Sequence, residues 1–321
     1  MSRYARQEVY PFIGSEGQTK LANAHVIIVG VGALGTQSAS LLARAGVGSI
    51  TLIDRDSITE DNLQRQVLFT ENDIGKPKAS TAKKHLEAIN STITVTAYDD
   101  DLTNETIEKY IPYTTTVIVD GTDNMETRFL VNDYALQQSI PWVYGAGIQG
   151  KGSIMTVLPK KQPCFACVFA DHLASETCQT AGVFNVTTAL VGSYQAAEAM
   201  KIILNKPPIE GLLWLNSEKS TVETLAVQKN PTCMACQGQY MFLHADNPSG
   251  ILKFCSTGNY QVPINETELS DLKERLNKIE TVEDMGGCLK VKNMLIFPSR
   301  CLVHADSESE AKKIVAKYIG S

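Results

Sequence analysis

Six residues, Gly30-Val31-Gly32-Ala33-Leu34-Gly35, join the β-branched run His25–Gly30 (HVIIVG) to a run of helix formers from Leu34 to Ala45. A G-x-G-x-x-G at such a strand-to-helix junction restricts the chain to a narrow set of α/β folds. The first glycine turns the chain tightly, and the second lets a phosphate approach the backbone. The helix N-terminus behind them offers unpaired N–H groups and the positive end of its dipole. Ser49–Asp54 (SITLID) reads as the next strand. It ends in Asp54, 19 residues after Gly35, where an acidic side chain can hold both ribose hydroxyls. These residues alone suit NAD as well as ATP, and a glycine turn without a ligand is the plain alternative.

The rest of the first half repeats the pattern. Lys78–Ile89 reads as a helix, Ile93–Tyr98 as a strand and Thr103–Tyr110 as a short helix. Thr116–Asp120 (TVIVD) is a buried strand, Met125–Gln138 a helix and Pro141–Gly145 a strand, all behind an amphipathic lead-in over residues 1–24. Alternation at these lengths predicts βαβ units and a Rossmann-like, mostly parallel sheet. The texture then changes. Ser153–Leu158 is a strand, Phe169–Gly182 shows no period and reads as a loop, and Val186–Leu204 is a helix. Its small residues Gly192, Ser193, Ala196 and Ala197 allow close packing. Leu212–Asn216 and Thr221–Val227 read as a strand pair, a mixed or antiparallel extension of the sheet. His244–Gly250 (HADNPSG) reads as a linker. The chain is therefore expected to form a domain over 1–243 and a small α+β domain over 250–321.

Further polar segments fall where this fold would gather them. Asn62-Leu63-Gln64-Arg65-Gln66 follows the second strand, Lys78 opens a helix after Gly75-Lys76-Pro77, and Gly121-Thr122-Asp123-Asn124 follows TVIVD. In an open α/β sheet, ligands bind beyond the carboxyl ends of the strands, so these segments should share one crevice. Arg65 and Lys78 exceed what a dinucleotide pyrophosphate needs and suit a triphosphate. Asp123 would hold Mg²⁺, which binds through one or two carboxylates plus phosphates. Asp123-Asn124 could equally be a helix N-cap for Met125–Gln138.

Eight cysteines in a chain with no signal-like leader call for an explanation other than disulfides, because cytosolic thiols stay reduced. Cys164-x-x-Cys167 and Cys233-x-x-Cys236, with 65 residues between the pairs, together offer four thiolates to one tetrahedral Zn²⁺. A closed four-thiolate shell would be structural; a redox C-x-x-C is the competing reading. Cys178 stands alone in a polar loop, with His172 six residues away as its nearest basic neighbour, so an unreactive and a catalytic thiol are both open. Cys255, Cys288 and Cys301 read as small core residues.

Arg3-Tyr4-Ala5-Arg6-Gln7, the glycine motif, Asn62–Gln66, Gly75–Lys78, Thr122–Asn124 and the two C-x-x-C pairs occur in the order seen in the MoeB/ThiF family, which this chain resembles over about residues 1–240. Those enzymes are similar to the adenylation domain of ubiquitin-activating enzymes. The resemblance implies a homodimer that uses ATP to adenylate the terminal glycine of a ubiquitin-like sulfur-carrier protein (MoaD/ThiS-like). By the same resemblance it would serve molybdopterin or thiamine biosynthesis, with a sulfur-donor protein as a further candidate partner. It implies a nucleotide site of Gly30, Gly32, Ala33, Gly35, Asp54, Asn62, Arg65, Gln66, Lys78, Asp123 and Asn124, and catalytic roles for Arg6, Arg65, Lys78, Asp123 and Cys178. Asp54 would bind ribose, Asn62, Arg65 and Lys78 phosphates, and Asp123 would act with Mg²⁺. Arg6 would reach the nucleotide of the opposite subunit, and Cys178 would lie in a crossover loop. Ala33 departs from the second consecutive glycine of many members, and a methyl there still fits the motif.

The proposed attack by a carboxylate on the α-phosphate needs no general base, since the carboxylate is ionised at neutral pH. None of the five histidines (25, 85, 172, 244, 304) adjoins the motifs except His25, inside a strand. An NAD-dependent oxidoreductase with structural zinc, or a non-catalytic scaffold half of an activating enzyme, are the alternatives. A formal charge of -6 gives no reason to expect nucleic acid, and no apolar run approaches the ~18 residues of a membrane span. The expectation is a cytoplasmic enzyme.

Overall fold

The computed structural model describes residues 2–169, 182–244, 252–253, 259–265, 267–284, 288–298 and 300–319. Cys178, His172, Cys255 and most of the expected loop and linker lie outside the described residues. Most of the chain up to Ala245 forms one compact unit, and Asp246–Ser321 belongs to a second.

The first unit is built on an eight-stranded sheet. In spatial order its strands are β3 (Thr94–Tyr98), β2 (Ser49–Ile53), β1 (His25–Val29), β4 (Val117–Asp120), β5 (Trp142–Ile148), β6 (Lys151–Val157), β7 (Leu212–Asn216) and β8 (Thr221–Leu225). The first five are parallel and the last three antiparallel. The central strands are mostly apolar because both faces are covered. Along β1, Val26 and Ile28 point into one core and Ile27 and Val29 into the other, the two-residue alternation of a pleated strand. One face carries α3 (Ala33–Ala45), α4 (Lys78–Ile89) and α8 (Asn185–Ile203), and the other carries α5 (Ile107–Tyr110), α6 (Met125–Gln138) and α7 (Phe165–Phe169). The small residues of α8 do allow close approach to α3. Ser38 Oγ donates to Gly192 O at 3.0 Å, and a Cβ at Gly192 would lie 2.8 Å from Leu34 O.

The lead-in is two helices, α1 (Ala5–Val9) and α2 (Gly14–Ala22). Two local differences from the sequence reading have physical reasons. The helix expected over Thr103–Tyr110 is shortened to Ile107–Tyr110, because the hydroxyls of Thr103 and Thr106 bond nearby backbone and draw the first residues into a turn. The strand expected to stop at Gly145 runs on to Ile148, since it gains an antiparallel partner in β6.

The register brings the strand ends level at the point where strand order reverses. Val29 pairs with Ile53 of β2 and with Asp120 of β4. Gly30 N–H then donates to Ile53 O at 2.8 Å and Gly121 N–H to Val29 O at 2.7 Å. The segments after β1, β2 and β4 therefore emerge side by side at the switch point between β1 and β4.

The second unit has a six-stranded antiparallel sheet in the order β11 (Glu283–Asp284), β12 (Leu289–Val291), β13 (Met294–Ile296), β14 (Arg300–His304), β10 (Asn259–Pro263) and β9 (Leu252–Lys253). Two amphipathic helices, α9 (Leu269–Leu276) and α10 (Glu308–Ile319), bury Leu272, Leu276, Val315 and Tyr318 against Tyr260, Met294 and Val303. It is a small α+β fold, and Cys288 and Cys301 are buried within it, as expected of small core residues.

Candidate nucleotide and metal sites

The glycine loop is packed at two of its glycines and open at the third. Gly30 has φ +85°, and a Cβ there would lie 2.6 Å from the backbone of Gly121. A Cβ on Gly35 would sit 1.9 Å from Gly30 O, so α3 closes directly onto the turn. At Gly32 a Cβ would meet nothing nearer than Gln66 Nε2 at 3.9 Å. Internal packing therefore does not require a glycine at Gly32; its hydrogen leaves open the space a phosphate would occupy at the N-terminus of α3. Ala33 begins that helix, where its methyl is half-buried.

Beside the loop lies an acidic and basic cluster. Asp54 Oδ2 accepts from Val31 N–H at 2.6 Å and Oδ1 from Asp56 N–H at 2.8 Å, so it ties the glycine loop to the end of β2. Burial pushes its carboxyl up to about 6, against the pull of Lys78. Lys78 Nζ is 2.9 Å from Asp56 Oδ2 and its side chain is buried. Burial alone would lower its ammonium, but Asp56 and Asp54 outweigh that and hold it charged. Asp56 was not among the residues expected from sequence.

The turn after β4 completes the crevice. Asn124 Oδ1 accepts from Thr127 N–H at 2.8 Å and is the N-cap of α6. Asp123 is exposed and takes no part in that cap. Its charge acts on both Lys78 and Arg128, so the three groups lie near one another. The structure thus separates two neighbours that sequence could not, one serving the helix and the other facing solvent.

The Asn62–Gln66 segment approaches from β2. Gln66 is buried beside Gly32, and its Oε1 accepts no hydrogen bond among the described residues. Arg65 Nη1 donates to Asp61 O at 2.6 Å. Asn62 is buried and spends its Oδ1 on a capping box with Thr59. Two described histidines of this unit stand elsewhere. His25 opens β1 at the opposite end from Gly30, next to Thr51, and His85 pairs with Asp73 at 2.9 Å.

Arg6 stands apart from this crevice. Its neighbours pin α1 to the far end of α3: Gln7 Nε2 donates to Ala45 O at 2.9 Å, and Tyr4 lies against Gly46. The glycine loop is at the other end of α3, about 18 Å away at 1.5 Å per residue. Arg6 itself is exposed, and so are Val9, Tyr10 and Phe12 that follow it.

The four expected cysteines come together. Sγ separations are 3.7 Å for Cys164–Cys167, 3.6 Å for Cys164–Cys233, 3.5 Å for Cys167–Cys236 and 3.4 Å for Cys164–Cys236. Tetrahedral Zn–S bonds of about 2.3 Å imply S···S distances of about 3.8 Å, close to these. Burial, reinforced by the other sulfurs, pushes the Cys164 thiol far up, and burial pushes Cys236 up to about 11. Four sulfurs this close could together hold a cation, and the cluster is compatible with zinc. Helix α6 holds both halves: Asn132 Oδ1 accepts from Phe165 N–H and Asp133 Oδ2 from Phe242 N–H, each at 2.9 Å.

Buried polar residues absent from the sequence reading brace the site. Arg128, Asp120, Gln195, Asn132 and Asp133 all lie at 8% exposure or less. Asp120 stands at a legible strand end. The others sit inside helices, where a lone polar residue reads as a solvated face, so no pattern could have picked them out.

The model of the ThiF family matches residues 4–235. The sulfur carrier protein ThiS adenylyltransferase of Bacillus subtilis (strain 168) is 36% identical over 336 aligned positions, covering 99% of each chain. The sulfur carrier protein adenylyltransferase of Thermus thermophilus is 40% identical, over 74% of this chain and 90% of its own length. Among solved structures, Escherichia coli MccB with ATP is similar at a TM-score of 0.64 and 25% identity, over 74% of both chains.

Proposed function

Since the chain belongs to the ThiF family, we propose that it adenylates the C-terminal glycine of a ubiquitin-like sulfur carrier, and that the carrier is of the ThiS type. The observation that carries this reading is the open cradle at Gly32, facing Lys78, Asp54 and Asp123 across level strand ends. The full-length relative, whose alignment includes the second unit, is named for ThiS, which favours that carrier over a MoaD-like one.

In this reading the triphosphate lies over Gly32 at the N-terminus of α3, and Asp54 receives the ribose hydroxyls. An oxygen of the carrier's terminal carboxylate attacks the α-phosphorus in line. The bond to the bridging oxygen of pyrophosphate breaks, leaving an acyl-adenylate and free pyrophosphate. Lys78 and Arg65 meet the charge that grows on the leaving group. Asp123 would hold Mg²⁺, which neutralises phosphate charge when bound. No base is needed, since the carrier's carboxylate is already ionised at neutral pH. A sulfur nucleophile, supplied by a donor protein, then displaces AMP. The four-cysteine cluster would hold a structural Zn²⁺; reduced thiols of this kind suit a cytoplasmic enzyme.

Carrier-dependent exchange of labelled pyrophosphate into ATP tests the proposal. Exchange with a ThiS-type carrier and none without carrier is expected; no exchange with any ubiquitin-like carrier would overturn it, and exchange with a MoaD-type carrier alone would overturn the choice of partner. Lys78→Ala and Arg65→Ala should each lower the exchange rate on the order of 10²-fold, as when one preorganised charge donor is removed. Rates near wild type would mean that their pairings with Asp56 and Asp61 are their whole role.

The reading includes a homodimer in which Arg6 serves the partner's nucleotide. The distance along α3 keeps Arg6 from its own site, and the exposed run Val9, Tyr10, Phe12 beside it suits a protein interface. Mixing inactive Arg6→Ala protein with inactive Asp123→Ala protein should then restore up to about a quarter of wild-type activity. At random exchange half the dimers are mixed, and each has one intact site of two. If exchange of subunits is demonstrated and no activity returns, Arg6 does not work across the dimer.

A further inference from the structure

We infer that Arg128 is a positioning residue: it sets the turn that carries Asp123 by bridging the splayed ends of β4 and β5. This rests on the proposed use of Mg²⁺ and ATP. Pairing between β4 and β5 is given by Ile118↔Trp142 and Val119↔Val143, and β4 stops at Asp120. Beyond that register the two backbones have no ladder to hold them, yet Asp123 lies three residues further on. Side chains take over where the ladder ends. From one face, Arg128 Nε donates to Asp120 Oδ2 at 3.1 Å, and Nη2 donates to Thr122 O at 2.6 Å and Gly145 O at 3.2 Å. The guanidinium also lies over the Tyr144 ring at 5.1 Å. Gln195 of α8 bridges the same strands, its Nε2 donating to Asp120 O at 2.6 Å and Val143 O at 3.3 Å.

The bridge leaves no space for other arrangements. Gln195 occupies the place where a Cβ on Gly145 would fall, at 2.4 Å. Asp120 Oδ1 accepts from both N–H and O–H of Thr122, at 2.9 and 2.6 Å, so its carboxylate is fully engaged. The Asp120 and Arg128 charges cancel locally, and Asp123 is the acid on this turn left exposed. Arg128 acts on it through Thr122 and Asp120. A lysine would keep the charge but could not span three acceptors in a planar fork.

Arg128→Lys is the test, read by pyrophosphate exchange over a range of magnesium chloride and by calorimetric titration of ATP with and without Mg²⁺. A misplaced Asp123 should lower kcat by about 10–100-fold, since shifts near 1 Å at a reacting site cost that much. The half-saturating Mg²⁺ concentration should rise on the order of fivefold, with metal-free ATP binding within twofold of wild type. Thr122→Val, which removes one hydroxyl bond and leaves the arginine in place, should shift Mg²⁺ dependence in the same direction by a smaller factor, and it decides the matter if Arg128→Lys does not fold. Folded variants with unchanged kcat and Mg²⁺ dependence would overturn the inference. So would a loss confined to metal-free ATP binding, which would mean direct contact with the nucleotide. Wild-type protein without exchange would instead sink the adenylation reading itself.

Discussion

Asp123→Ala protein should lose carrier-dependent pyrophosphate exchange on the order of 10³-fold while its melting temperature stays within about 2 °C of wild type. The two outcomes are expected together because of where the side chain stands. Asp123 is exposed and makes no hydrogen bond among the described residues, so its removal opens no cavity and orphans no partner. The helix behind it is capped by Asn124, whose Oδ1 bonds Thr127 N–H. What is lost is the carboxylate that would hold Mg²⁺ beside Lys78. Asn124→Ala is the matched control: it should cost about 1 kcal/mol, or roughly 2–4 °C, as caps do, and leave most of the exchange rate. Near-normal exchange in Asp123→Ala would remove Asp123 from the reaction.

Cys233→Ser should release the bound metal and lower the melting temperature by about 6–12 °C. A thiolate missing from a closed four-sulfur shell takes the metal's contribution to folding with it. Taking that contribution as about 3 kcal/mol, each kcal/mol corresponds to roughly 2–4 °C in a domain of this size. The loss should spread beyond the cysteines, since Phe165 and Phe242 dock the two halves of the cluster onto α6 through Asn132 and Asp133. Metal content of about one zinc per wild-type chain and none in the variant is the primary measurement. Full zinc and unaltered melting in Cys233→Ser would refute the zinc assignment.

Asp54 adds a pH dependence of known sign. Its carboxyl is raised in the folded chain to about 6, from an ordinary value near 3.8, chiefly by burial. Such a shift favours the folded state below the unfolded value, and that contribution is lost as pH rises through about 6. Asp54→Asn should flatten the fall in melting temperature between pH 4 and 6; an unchanged profile would show that Asp54 does not contribute to it.

Much of this molecule was legible in its sequence, and the parts that were share a cause. The glycine loop, Asp54 and the C-x-x-C pairs are chemistry written in short spacings. Gly30, Gly32 and Gly35 act within one turn, and each cysteine pair spans only four consecutive residues. The strands β1, β2 and β4 were readable because a parallel strand covered on both faces is a nearly continuous apolar run. What only the tertiary structure decided lies in contacts between distant segments. That Asn124 caps α6 while Asp123 stays exposed and outside the cap depends on side-chain direction at one helix start. That Lys78 is held by Asp56, across 22 residues, depends on the docking of α4 against β2. Arg128 could not be singled out because its value comes from two strands parting beside it, at Thr122 and Gly145, a gap that exists only once the sheet has formed. Local spacing records which groups a site can use; which of them face it, and what holds them there, is set by long-range packing that no short spacing encodes.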